Sequence, residues 1–77
     1  MKEQHLGKKI HAVMTIRGKN AVWLASEIGC ERTNVYNIFH RRSIDTELLK
    51  RICIILSYNF FHDLSEDVQR EFGHIDL

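Results

Sequence analysis

Arg32, Thr33, Tyr36 and Asn37 lie within six residues of one another, and no acid falls between Arg32 and Arg42. These side chains have a shared chemistry. An Arg can donate two parallel hydrogen bonds to guanine O6 and N7. An Asn can pair in the same bidentate way with adenine N6 and N7. Thr offers a hydroxyl and a methyl, the latter suited to thymine. A Tyr can bond a phosphate or lie on a sugar edge. Asn34, His40, Arg41 and Arg42 add polar and basic groups in the same stretch. An ordinary solvated helix face uses the same residue types, so the elements that hold them must decide between the two readings.

Those elements follow from apolar spacing and local punctuation. Leu6, Ile10, Val13 and Met14 recur on one helical face, predicting a helix from about His5 to Arg17, with Gly18 as its stop. Asn20 is a good N-cap for a second helix, Ala21 to Ile28, closed by Gly29 and turned inward by Val22, Leu24, Ala25 and Ile28. A third helix is predicted from Arg32 to His40 with Val35, Ile38 and Phe39 inward. Glu31 is a mediocre cap for it, although its charge suits the dipole. Ser43 or Asp45 caps a fourth, Thr46 to Leu56, with Leu49, Ile52, Cys53 and Leu56 on one face. Asn59 starts a short fifth, Phe60 to Leu64. Ser65 can cap a sixth, which would carry Glu66 and Asp67 in its first turn and end at Gly73.

The chain has 77 residues, no Pro and four Gly, which predicts one all-α domain over 1–77, with a core over 6–64 and an acidic tail over 65–77. The net charge of +1 conceals an asymmetry. Residues 1–42 carry eight bases and three acids, residues 43–56 are neutral, and residues 57–77 carry one base and five acids. A basic front and an acidic end suit a protein with one face on a polyanion. A chance asymmetry on a solvated surface has the same arithmetic.

Residues 21–40 contain a spaced constellation. A helix pair joined by a tight turn needs a small residue where the backbones cross, which Ala25 supplies. Four residues on it needs one that tolerates the turn, Gly29, and then branched apolar residues on the second helix, Val35 and Ile38. With Leu24 and Ile28 in their usual spacing, a helix before and an amphipathic helix after, the sequence resembles the phage repressor and Cro class of helix-turn-helix proteins, the xenobiotic-response-element type, over residues 6–64. The resemblance implies a compact, lambda-repressor-like bundle of about five short helices that binds double-stranded DNA as a small transcriptional regulator. It implies that Arg32, Thr33, Tyr36 and Asn37 face the bases in the major groove. Phosphate contacts would come from Lys19, Asn20, Asn34, His40, Arg41 and Arg42, with Lys8 or Lys9 nearby. The sequence departs from the family at Arg41, where a Gly is common, and at Trp23, where a polar residue is usual. The indole would pack on a neighbouring helix or the tail, or join a partner interface.

Other functions find little footing. His5, His11, His40, His62 and His74 form no i, i+3 or i, i+4 pair and have no neighbouring Cys ligand, so no metal site is expected. No nucleophile elbow, phosphate loop, zinc-protease motif or cofactor motif appears, and neither catalysis nor a cofactor is expected. No run of apolar residues is long enough to span a bilayer, and no secretory signal is seen. Cys30 and Cys53 read as small buried hydrophobes of a reducing compartment, which points to the cytoplasm. One helix-turn-helix reads few base pairs, so a homodimer is expected, its interface made by Phe60, Phe61, Leu64, Val68 and Phe72. Alternatively, these residues complete the monomer core. The rival to DNA is a protein-interaction or antitoxin-like module on the same fold, with a partner on the acidic tail.

Overall fold

The computed structural model describes residues 5–72, and every regular element among them is a helix: α1 (Leu6–Ile16), α2 (Ala21–Ile28), α3 (Arg32–Phe39), α4 (Thr46–Leu56) and α5 (Phe60–Phe72). Gly73, expected to end the last helix, lies outside the described residues, as do Lys2, Glu3, His74 and Asp76.

Each helix but α3 begins on a side chain that accepts a hydrogen bond from an otherwise orphaned N–H. His5 Nδ1 accepts from the Lys8 amide at 3.1 Å, Asn20 Oδ1 from Trp23 at 2.9 Å, Asp45 Oδ1 from Leu48 at 2.9 Å and Asn59 Oδ1 from His62 at 3.2 Å. Glu31 precedes α3 without a side-chain cap bond. Three helices end in left-handed turns. Gly18 (φ 70°), Gly29 (φ 87°) and Ser57 (φ 53°) reverse the chain, and the next amide reaches back five residues. Those bonds run from Lys19 to Met14 (2.8 Å), Cys30 to Ala25 (2.9 Å) and Tyr58 to Cys53 (3.0 Å). Ser57 is the one non-glycine of the three and carries the steric cost of that conformation.

The core is assembled from all five helices. Leu6, Ile10, Val13 and Met14 of α1 meet Leu24 and Ala25 of α2, Val35 and Ile38 of α3, Leu49, Ile52 and Leu56 of α4, and Phe60 of α5. Eight-residue helices such as α2 and α3 are too short to persist alone, so this packing holds them. α3 is also clamped against α1. Gly7 lies so close to α3 that a Cβ there would collide with the Ile38 and Phe39 carbonyls. The first amides of α1 have no acceptor within their own helix. Leu6 donates to the Arg42 carbonyl at 3.1 Å and Gly7 to the Arg41 carbonyl at 2.9 Å. The N-terminus of α1 thus fixes the backbone that leaves α3. Two arginines tie down helix ends from a distance: Arg51 donates to the Ile28 carbonyl at 2.8 Å and Arg17 to the Ser57 carbonyl at 3.2 Å.

Several expectations need correction. The fifth and sixth helices are one, because nothing between Leu64 and Glu66 breaks the backbone. One pair straddles the expected gap, His62 with Glu66 at 3.6 Å, and Asp67 pairs with Arg70 at 2.8 Å one turn further on. Ser65 is therefore an exposed mid-helix residue, and Ser43 lies outside α4, whose cap is Asp45. In α2 Leu24 and Ala25 are buried as expected, but the residue buried with them is Ala21, while Val22 is 55% exposed. The third helix ends at Phe39, with His40 as its cap residue in a right-handed conformation, so the chain does not run on as helix through Arg41. Cys30 and Cys53 are free and half-buried, less deeply than expected.

Candidate nucleic-acid interface

α3 has one buried side, formed by Val35 and Ile38 with Phe39 half-buried beside them. At about 100° per residue, Thr33, Tyr36, Asn37 and His40 fall on the opposite side, with Arg32 and Asn34 at its edges. All six are exposed, so the helix presents one continuous face without an acid. One edge forms a shallow groove of about 220 Å³ in which Asn34, Asn37 and Arg41 stand beside Cys30 and Leu48. The other edge meets α1. There the His11 ring stacks on Phe39 with centroids 4.6 Å apart, and Tyr36 meets Phe39 edge-on at 6.1 Å.

The flanking candidates are also on the surface. Arg41 and Arg42 are exposed, and their backbone is held by the α1 amides. Asn20 spends its side-chain oxygen on the Trp23 amide, which leaves its NH2 group free to donate outward from the start of α2. Lys19 sits with its ammonium 4.9 Å from the centroid of the Trp23 ring. Trp23 itself is half-buried and packs against the core, which accounts for an indole at that place.

Lys9 and Lys8 part company. Lys9 Nζ lies 3.5 Å from Asp63 Oδ2, and the Tyr58 hydroxyl donates to the same oxygen at 2.8 Å. This trio fastens α5 to α1 and takes Lys9 away from the α3 face. Donation to the Asp63 carboxylate, with partial burial, holds the Tyr58 hydroxyl above its usual pKa of 10.0. Lys8 instead lies beside Tyr36 and His40, in a recess that His11 also lines.

His11 was missed as a candidate, and Lys8 could not be told from Lys9, because only the α1–α3 clamp brings Lys8 and His11 beside α3. The readable hint was Gly7, a glycine in the first turn of a helix that would otherwise be better served by Ala.

The five residues assigned to an interface divide. Phe60 is fully buried, its ring 4.6 Å from that of Tyr58, so it belongs to the monomer core and is withdrawn from the interface. Phe61 and Leu64 are half-buried against the core, whereas Val68 and Phe72 are 56% and 38% exposed. Among the described residues, no three His, Cys, Asp or Glu side chains gather into a set able to hold a metal ion, and no helix is long and apolar enough to cross a membrane.

No family model, curated protein or solved structure matches this chain.

Proposed function

We propose that this protein binds double-stranded DNA sequence-specifically, as a small transcriptional regulator of the phage repressor and Cro type, with α3 in the major groove. The observation that carries the reading is the continuous, acid-free face of Arg32, Thr33, Asn34, Tyr36, Asn37 and His40, backed by Val35 and Ile38. Arg32, Thr33, Tyr36 and Asn37 touch base edges. Lys19, Asn20, Asn34, His40, Arg41 and Arg42 lie along the sugar-phosphate backbone. The clamp between α1 and the 41–42 backbone supports this division, since it fixes the loop against the helix that reads the bases. The function is binding, without catalysis or cofactor, in the reducing cytoplasm that two free cysteines suit.

The protein acts as a homodimer. Val68 and Phe72, continuing the stripe of Phe61 and Leu64, give α5 an apolar edge beyond the monomer core. Two copies joined there would read half-sites about 10 base pairs apart. The same edge supports a second reading, an antitoxin-like module that holds a protein partner on α5.

Selection of duplexes from a random pool, followed by equilibrium binding, tests the proposal. A recovered consensus with affinity well above that for random duplex is expected. Equal binding to all sequences, or none, would overturn it.

A further inference from the structure

We infer that the recess between α1 and α3 is a second DNA contact, which takes one sugar-phosphate unit of the strand flanking the bases read by α3. This inference rests on the DNA reading above and extends its footprint to α1.

The recess is half-open, holds about 330 Å³, and is lined by Lys8, His11, Tyr36, Phe39 and His40. Its chemistry has two parts. Phe39 gives the lining an apolar ring, on which His11 stacks and which Tyr36 meets edge-on. Such a surface accepts the apolar face of a deoxyribose or the π-face of a base. The rim carries the Lys8 ammonium and the His40 imidazole, both able to donate to a phosphate oxygen, and none of the five residues is an acid.

Position argues for the same occupant. Tyr36 and His40 belong at once to the outward face of α3 and to this recess, so a strand following that face passes over it. Charge complementarity selects a polyanion, and continuity with the α3 face selects the DNA already bound there. The close approach at Gly7 holds the two walls together, so the recess exists before DNA arrives.

The test uses the full chain, a duplex carrying the selected site with flanks, and the same duplex trimmed at the flanks. Binding is followed by fluorescence anisotropy across a salt series. One phosphate contact contributes a slope of about −0.9 in log affinity against log salt, which at 0.15 M salt is about fivefold in affinity. Lys8→Ala should therefore lose about fivefold per protomer and flatten the slope by about 0.9, with base preference unchanged. Lys8→Arg should restore both, and trimming the flank should erase the difference between Lys8→Ala and the parent. His11→Ala, a change on an exposed face, should weaken binding without altering the slope. If Lys8→Ala keeps the parent affinity and slope on the flanked duplex while Arg32→Ala changes base preference, this contact is wrong and the α3 reading survives. If the parent protein binds no duplex, both fall together.

Discussion

Replacing Gly7 by Ala sets two forces against each other, and their balance can be worked from the geometry. Ala is the better helix former by about 1 kcal/mol, so a helix considered alone would gain from the change. In the folded chain the new Cβ would collide with the Ile38 and Phe39 carbonyls, which are backbone atoms of α3 and cannot rotate away. α1 must therefore back off, and overpacking of that kind costs about 1–3 kcal/mol. The same movement stretches the Leu6–Arg42 and Gly7–Arg41 hydrogen bonds, worth about 0.5–1.5 kcal/mol each. The net is a loss of about 1–5 kcal/mol, large beside the total stability of about 4–12 kcal/mol that a chain of 77 residues commands. At about 4–8 °C per kcal/mol, a mid-range loss of about 3 kcal/mol lowers the Tm by about 12–24 °C. Thermal unfolding followed by circular dichroism reads it. A Tm equal to or above the parent's would refute the clamp, because helix propensity would then have won.

The left-handed caps make a paired prediction: Ser57→Gly should stabilise by up to about 1 kcal/mol, while Gly29→Ala should destabilise by about 1–2 kcal/mol from backbone strain alone, since its Cβ would meet nothing within 4 Å; urea unfolding of both variants checks the opposite signs. Tyr58 predicts an alkaline loss of stability. Its folded-state pKa is raised by donation to Asp63, so the bond's contribution is full below its usual pKa of 10.0 and disappears as the pH climbs through the higher folded-state value. Tyr58→Phe should remove that part of the pH dependence, and a difference in stability unchanged across the alkaline range would contradict it. Val68→Glu with Phe72→Glu, both exposed in the monomer, should leave folding intact and shift sedimentation from dimer to monomer; a parent already monomeric on DNA would remove the dimer.

The bounds of α2 and α4 could be read residue for residue, because their determinants are local. Asn20, Gly29 and Asp45 each act within one turn of where they sit. α5 was read as two helices because Ser65 followed by Glu66 and Asp67 has the chemistry of a helix start. A cap works only where the preceding chain leaves the helix, and no Gly or Pro between Leu64 and Glu66 makes it leave. Phe60 was misplaced for another reason. Phe60 and Phe61 are neighbours of the same residue type, and only the position of α5 against Cys53 and Tyr58 decides which one enters the core. Val22 and Ala21 traded places in the same way, since a two-turn helix with mostly apolar residues has no single obvious face. The outward residues of α3 were legible because Val35 and Ile38 fix its inward side. His11 was not, and Lys8 could not be told from Lys9, because their place beside Tyr36 depends on a helix contact far apart in sequence.

The central claim is that α3 reads base edges, and the most direct measurement compares base preferences of the parent, Arg32→Ala and Asn37→Ala on a panel of single-base variants of the selected site. Both side chains are exposed, so neither change should disturb the fold. Each should cost about 1–3 kcal/mol on the selected site and relax preference at one base position, with the other positions retained. If both variants keep the parent's full pattern of base preference, α3 does not lie in the major groove and the account is wrong.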